Sequence, residues 1–356
     1  MSAVSVAIGL CGYWTDYMGT VRRRCRRAQI ERHRDPKSMS IATHMSSTST
    51  VADGVLVINK EAGWTSHDIV AKIRAVLGRV KVGHAGTLDP AATGVLPVLV
   101  GRATRVSEYL VDWDKEYRAI LRLGETTDTQ DATGKVLARI DPSAVREEAL
   151  CEAIARFRGP QRQMPPMYSA VKVGGRPLYK AARAGETVDR AERTIVIHAL
   201  DILAVEGRDV TLNVVCSKGT YIRTLCADIG QALGVGGHLY ALERRRVGPL
   251  SIDHALTVAQ AEAQAAIGTL QRHLIGLDHV LDQLPVLALT EDQVRLALHG
   301  GAVSPAGMER LPASTEPVSV RLQNQAGRLL AIGIHDARTA GPIKIRKVLT
   351  EIESLD

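Results

Sequence analysis

The run Gly54-Val55-Leu56-Val57-Ile58-Asn59-Lys60 constrains this chain most, because a short, β-branched apolar stretch reads as a strand buried in a sheet. A turn at Gly63 follows. Ser66 is then placed to cap a helix whose apolar positions Ile69, Val70, Ile73, Val76 and Leu77 recur at helical spacing until Gly78 stops it. Residues 79–93 read as a Gly-rich loop. Further strands are expected over 115–123, 194–205 and 209–216, and helices near 145–157, 220–233 and 257–267. Strands and helices in mixed order predict an α+β body with a mixed, largely antiparallel sheet flanked by helices, rather than a doubly wound one.

Beyond Pro285 the texture changes to short strands and turns. A helical stretch over 291–298 leads to Gly300-Gly301 and then to strand-like segments at 318–322 and 329–334. Three regions are therefore expected: a basic, disordered extension over 1–53, a large body over 54–284, and a small β-rich domain over 285–356. No internal repeat is visible.

A chain of 356 residues can bury a sizeable core, and its 45% apolar and 23% charged residues are those of a soluble globular protein. No apolar run approaches the roughly 18 residues a spanning helix needs, so no membrane role is expected. The cysteines (Cys11, Cys25, Cys151, Cys216, Cys226) are odd in number and form no Cys-x-x-Cys pair. A reduced, cytoplasmic protein without structural zinc follows. The net charge of +7 calls for a polyanionic partner. Eight Lys and Arg against three acidic residues fall within the first 45, centred on Arg22-Arg23-Arg24-Cys25-Arg26-Arg27. That cluster is either an RNA-binding tail or a solvated extension upstream of a start at Met39 or Met45. The second reading is preferred, with 46–50 as linker.

The most informative segment is Gly83-His84-Ala85-Gly86-Thr87-Leu88-Asp89-Pro90-Ala91-Ala92-Thr93-Gly94-Val95-Leu96-Pro97. Its glycines allow close backbone approach to a ligand, and Asp-Pro fixes turn geometry at one carboxylate. Taken alone, Asp89 reads first as a cap of the following turn. The segment is not a phosphate-binding loop, because no Gly-Lys-Ser/Thr follows its second Gly. Asp128-Thr129-Gln130-Asp131-Ala132-Thr133-Gly134 lacks the spacing and terminal Glu of a calcium loop. His198, His238 and His254 have no metal-ligand spacing, so no metal is expected.

The Gly83–Pro97 segment resembles the catalytic loop of TruB-type pseudouridine synthases, Gly-His-x-Gly-x-Leu-Asp-Pro-x-Ala-Thr-Gly-x-Leu-Pro, at every fixed position. Asn59-Lys60-Glu61-Ala62-Gly63-Trp64-Thr65-Ser66 is similar to the family's Lys-Pro-x-Gly-x-Thr-Ser element, with Glu61 where Pro is usual. Lys115-Glu116-Tyr117-Arg118 resembles its tyrosine segment, and Lys218-Gly219-Thr220-Tyr221-Ile222-Arg223-Thr224-Leu225 its basic motif. Pro165–Lys172 and Leu242-Glu243-Arg244-Arg245-Arg246-Val247 also look familial, and the C-terminal piece is similar to a PUA-like RNA-binding domain.

The resemblance implies a cofactor-free isomerase that converts uridine 55 in the T-arm of tRNA to pseudouridine by base flipping. It assigns Asp89 as the catalytic carboxylate, Arg223 as its cationic partner and Tyr117 as the group against the base, serving late proton transfer. It makes Tyr221 and Leu242 pocket residues, and has His84 fill the gap left in the RNA stack. Lys60, Lys81 and Lys218 are expected to meet substrate or its phosphates. A monomer that needs no protein partner is expected. A guide-RNA-dependent, dyskerin-like synthase and an inactive RNA-folding factor are the alternatives; intact Asp89, Tyr117 and Arg223 argue against the second.

Overall fold

The Gly54–Lys60 run becomes strand β1, and a sheet covered on both sides explains why its apolar residues do not alternate with polar ones. Val55 and Val57 face one apolar cluster, Leu56 and Ile58 another. The computed structural model describes residues 53–169, 171–186, 188–305, 316–339 and 341–350, and the reading of the basic extension falls on residues outside that set.

Helix α1 (Ser66–Leu77) follows, then β2 (Val82–His84), β3 (Thr93–Val100), α2 (Ser107–Val111), β4 (Lys115–Leu123), β5 (Glu125–Thr127) and β6 (Val136–Arg139). Next come α3 (Glu147–Ala155), β7 (Gly159–Gln163), β8 (Lys172–Val173), β9 (Arg176–Pro177), α4 (Leu178–Arg183), β10 (Arg193–Glu206), β11 (Asp209–Cys216) and α5 (Ile222–Ala232). The body closes with β12 (Gly237–Val247), β13 (Leu250–Ser251), α6 (Val258–Ala266) and α7 (Leu277–Val280). A last set comprises β14 (Val286–Ala288), α8 (Glu291–Leu298), β15 (Val318–Gln323), β16 (Leu329–His335) and β17 (Lys344–Val348).

The central sheet runs β1-β3-β12-β4-β11-β10-β7, with β2 on β3 and β13 on β12. Every pairing is antiparallel except β3 with β12, so the mixed, largely antiparallel sheet is as expected. Its two halves are packed differently. β1 and β3 are buried on both faces, with Ile69, Val70 and Ile73 of α1 and Val258 and Ala261 of α6 on one side. β4 alternates instead, sending Tyr117, Ala119, Leu121 and Leu123 against Leu150 and Ile154 of α3 and Leu225, Cys226 and Ile229 of α5.

Ser66 does not cap α1. Thr65 does: its side chain accepts from the Asp68 amide, and Asp68 answers to the Thr65 amide, a complete capping box. Ser66 is released to grip the Asp89 loop. The expected loop over 79–93 likewise contains β2, whose pairing to β3 splits it into the short link 79–81 and the irregular segment 85–92. β12 was not among the strands expected from the sequence, where Leu242–Val247 stood out only as a familial motif, yet it occupies the middle of the sheet.

The C-terminal strands form a separate sheet, β14-β15-β16-β17, with its own core around Leu287, Val320, Leu322 and Leu330 under α8. Leu329, Ile332 and Leu349 leave that core to join Val55, Val57 and Leu99 of the body. Arg321 crosses back as well, donating to the carbonyls of Leu284, Asp278 and Asp282.

Candidate active site

Asp89 stands at the tip of the 85–92 loop, and neighbours on several elements hold that loop. Ser66 Oγ accepts from the Leu88 amide at 3.0 Å and donates to the Leu88 carbonyl at 3.2 Å. The Gly63 amide donates to the Pro90 carbonyl at 2.8 Å, and the Ala92 amide closes a turn on the Asp89 carbonyl at 3.0 Å. The Lys60–Ser66 element and the Asp89 loop are thus one physical unit.

Lys60 completes that unit and corrects an expectation. It is 0% exposed, and Nζ donates to the carbonyls of Glu61, Trp64 and Pro90 at 3.0, 2.8 and 3.2 Å. All three ammonium donors are used, so Lys60 braces the loop and is not available to a phosphate. Burial holds its pKa below the usual lysine value, against the pull of the nearby Asp89 carboxylate.

The Asp89 side chain is half exposed, and its Oδ2 lies 3.2 Å from Nε of Arg223. Arg223 sits in the first turn of α5, 7% exposed, and spreads its guanidinium over further acceptors. Nη2 donates to the Tyr168 carbonyl at 2.9 Å, and Nη1 reaches Asp131 Oδ2 at 3.4 Å. A half-exposed carboxylate is therefore backed by a fixed guanidinium that engages one of its oxygens.

Tyr117 on β4 is 8% exposed, and burial raises its phenol pKa above the ordinary value. Directly across the ladder on β12 is Arg244, 2% exposed. His84 ends β2 with Nδ1 buried and without a partner, edge-on to His67 at 5.5 Å. Burial, then His67 and Arg244, push its pKa down, so the imidazole is neutral near pH 7. Tyr221 immediately precedes α5. Gln163 clamps its backbone, accepting from the amide at 2.7 Å and donating to the carbonyl at 3.0 Å. Leu242 is half-buried beside the Tyr117 cluster. Lys218 pairs with Asp112 at 2.8 Å.

Two residues of this site were missed in the sequence. Asp131 lies in the segment dismissed as a calcium loop; its Oδ1 accepts from Thr129 and Thr133, leaving Oδ2 for Arg223. The Asp/Thr pattern signalled a self-bonded turn, but nothing in it pointed to α5. Arg244 was in plain view within a familial motif; its signal was an arginine among strand-forming neighbours.

Comparison with known proteins places this geometry. The profile described as TruB family pseudouridylate synthase (N terminal domain) matches residues 74–222, and that of the tRNA pseudouridylate synthase B C-terminal domain matches residues 223–282. The chain is 45% identical over 283 residues to a tRNA pseudouridine synthase B of Pseudomonas aeruginosa, covering 79% of this chain and 91% of that one. It is 46% identical over 293 residues to the protein of that name from Ralstonia pickettii, covering 81% and 86%. Among solved structures, a Cbf5-Nop10-Gar1 complex aligns with a TM-score of 0.66 at 28% identity, over 84% of this chain and 86% of that chain. An H/ACA RNP bound to a substrate RNA containing 2′-deoxyuridine aligns at 0.65 and 26%, over 83% and 85%. With matched profiles spanning more than half its length around the loop that presents Asp89, the chain belongs to the TruB family of pseudouridylate synthases.

Proposed function

We propose that this isomerase acts alone on tRNA, converting uridine 55 of the T-arm to pseudouridine, in the cytoplasm and as a monomer. The observation that carries the reading is the half-exposed Asp89 carboxylate held by the buried Arg223. The relatives named tRNA pseudouridine synthase B support the substrate class.

The reaction breaks the N1–C1′ glycosidic bond and makes a C5–C1′ bond; the C5 proton leaves and N1 gains one. No outside atom enters, so one carboxylate suffices as nucleophile or as stabiliser of the sugar cation. The target base must leave the RNA stack first. His84, neutral and half-buried at the loop's start, is suited to stack in its place. Tyr117, Tyr221 and Leu242 would line the pocket, and Tyr117 would serve proton transfer late in the reaction. The C-terminal sheet we read as a PUA-like RNA-binding domain whose exposed Lys344 and Arg346 meet phosphate; Arg338 and Lys347 are engaged by Asp336 and Glu108.

The test is incubation of the protein with unmodified tRNA transcript, followed by carbodiimide mapping of pseudouridine by primer extension. A single stop at uridine 55 without any guide RNA is expected. Modification only when a guide RNA is supplied would favour the dyskerin-like reading, and stops outside the T-arm would overturn the site.

A further inference from the structure

Arg244 is the largest fully buried side chain of the described residues, and its charge has no carboxylate beside it. Its Nε donates to the Val95 carbonyl at 2.7 Å and its Nη2 to the Gly86 carbonyl at 2.9 Å. Those two carbonyls flank Asp89, one on each side of the loop. The third neighbour is Tyr117, directly opposite on β4 and likewise buried, whose phenol interacts electrostatically with the guanidinium. On the other side of β12, Arg244 pairs with Gly94 of β3, where a Cβ would come within 2.2 Å of the Arg244 carbonyl.

A buried cation without a counter-ion is expensive, and a Leu or Met would fill the same volume without that penalty. What a hydrocarbon cannot do is bind the carbonyls on both flanks of the loop from one fixed fork while its charge faces the Tyr117 phenol. We propose that Arg244 is the positioning residue of this site: it ties both flanks of the Asp89 loop to β12 and orients the Tyr117 hydroxyl toward that loop. The inference rests on the functional reading above. Arg244 is too deep to touch substrate, so it acts through Asp89 and Tyr117. Lysine keeps the charge but cannot span Gly86, Val95 and Tyr117 together, and methionine keeps only the bulk.

The experiment uses the full chain with Arg244→Lys, Arg244→Met and Tyr117→Phe, each checked by thermal melting. Single-turnover release of tritium from C5-labelled uridine in tRNA is measured beside tRNA binding. Both Arg244 variants are expected to lose about 10- to 100-fold in rate with binding changed less than about threefold. Proteins labelled with carbon-13 at tyrosine Cζ give the readout that simple destabilisation would not move. Of the eight tyrosines, the resonance lost in Tyr117→Phe should shift in Arg244→Lys while the others hold. Full activity and an unmoved Tyr117 resonance in a folded Arg244→Met protein would overturn the proposal. If neither Arg244 variant folds, the arginine Nε resonances of Tyr117→Phe decide: a shifted buried signal supports the link, and an unchanged spectrum refutes it. Should the wild type make no pseudouridine in tRNA, the functional reading fails, while the resonance measurements still judge the Arg244–Tyr117 contact.

Discussion

Arg223 holds two carboxylates at once: Asp89 Oδ2 lies 3.2 Å from its Nε, and Asp131 Oδ2 lies 3.4 Å from its Nη1. The two acids are not equivalent. The Asp89 side chain is 50% exposed and faces solvent, whereas Asp131 is 18% exposed and spends its other oxygen on Thr129 and Thr133. One carboxylate is available for chemistry, and the other fixes the cation.

Asp89→Asn should abolish pseudouridine formation while leaving fold and tRNA affinity intact. The amide keeps the size of the side chain, and the turn on the Asp89 carbonyl is a backbone feature. Removing the charge also leaves Arg223 more open to RNA phosphate, so affinity should hold or rise. Pseudouridine per enzyme over hours, beside binding and melting, checks this. Near-normal turnover by the folded variant would sink the assignment of Asp89.

Asp131→Asn tests the second half of the relationship. The guanidinium keeps Asp89 and the Tyr168 carbonyl but loses the charge that fixes its far end. Misplacement of a catalytic pair by a fraction of an ångström typically lowers rate by about 10- to 100-fold, or about 1.4 to 2.7 kcal/mol in barrier. Single-turnover rates at saturating enzyme should show that loss with tRNA binding unchanged. A purely structural Asp131 would instead lower the melting temperature and leave the rate of the folded enzyme alone.

How far the sequence revealed all this depends on the range of the interaction. β1, α1, β4, β10 and β11 were legible because each carries a local pattern, the β-branched run of Val55–Ile58 or the helical spacing of Ile69, Val70 and Ile73. Asp89 and Arg223 stood out only through familial motifs, since their 3.2 Å contact joins residues far apart in the chain. Lys60 was misread and Arg244 was overlooked for one shared reason. A charged side chain is ordinarily solvated, and each of these two is instead held by backbone carbonyls, one of which comes from the distant Asp89 loop: Pro90 for Lys60 and Gly86 for Arg244.

Gly94→Ala should damage both stability and activity. Gly94 has φ +101°, a region that side chains rarely enter, and its Cβ would lie 2.2 Å from the Arg244 carbonyl and 2.7 Å from the Arg244 amide. Strain of this kind costs on the order of 1–3 kcal/mol before the backbone clash is added. Relief requires β3 to move off β12, which carries the Asp89 loop with it. Melting several degrees below wild type and a disproportionate fall in single-turnover rate are expected. A variant with native melting and rate would mean the two strands part freely.

Asp228 should give the protein a stability that declines as pH rises through 6. It lies on α5, and burial raises its pKa to about 6, above the value near 3.9 of an unfolded chain. Between those values the folded state binds more protons than the unfolded one, so stability falls with rising pH. The contribution is fully present below about pH 4 and gone above about pH 6. Asp209 and Glu125, whose pKa values are lowered by Arg122 and Arg208, work in the opposite direction, so total stability is not the readout. The difference between wild type and Asp228→Asn isolates the one group. Asp228 is still partly open to water, and allowing for that screening the variant should gain about 1 kcal/mol at pH 7.5. That corresponds to about 2 °C in melting temperature, shrinking to nothing below about pH 4. A difference that stays constant from pH 4 to 8 would show that packing at α5, rather than the ionisation of Asp228, separates the two proteins.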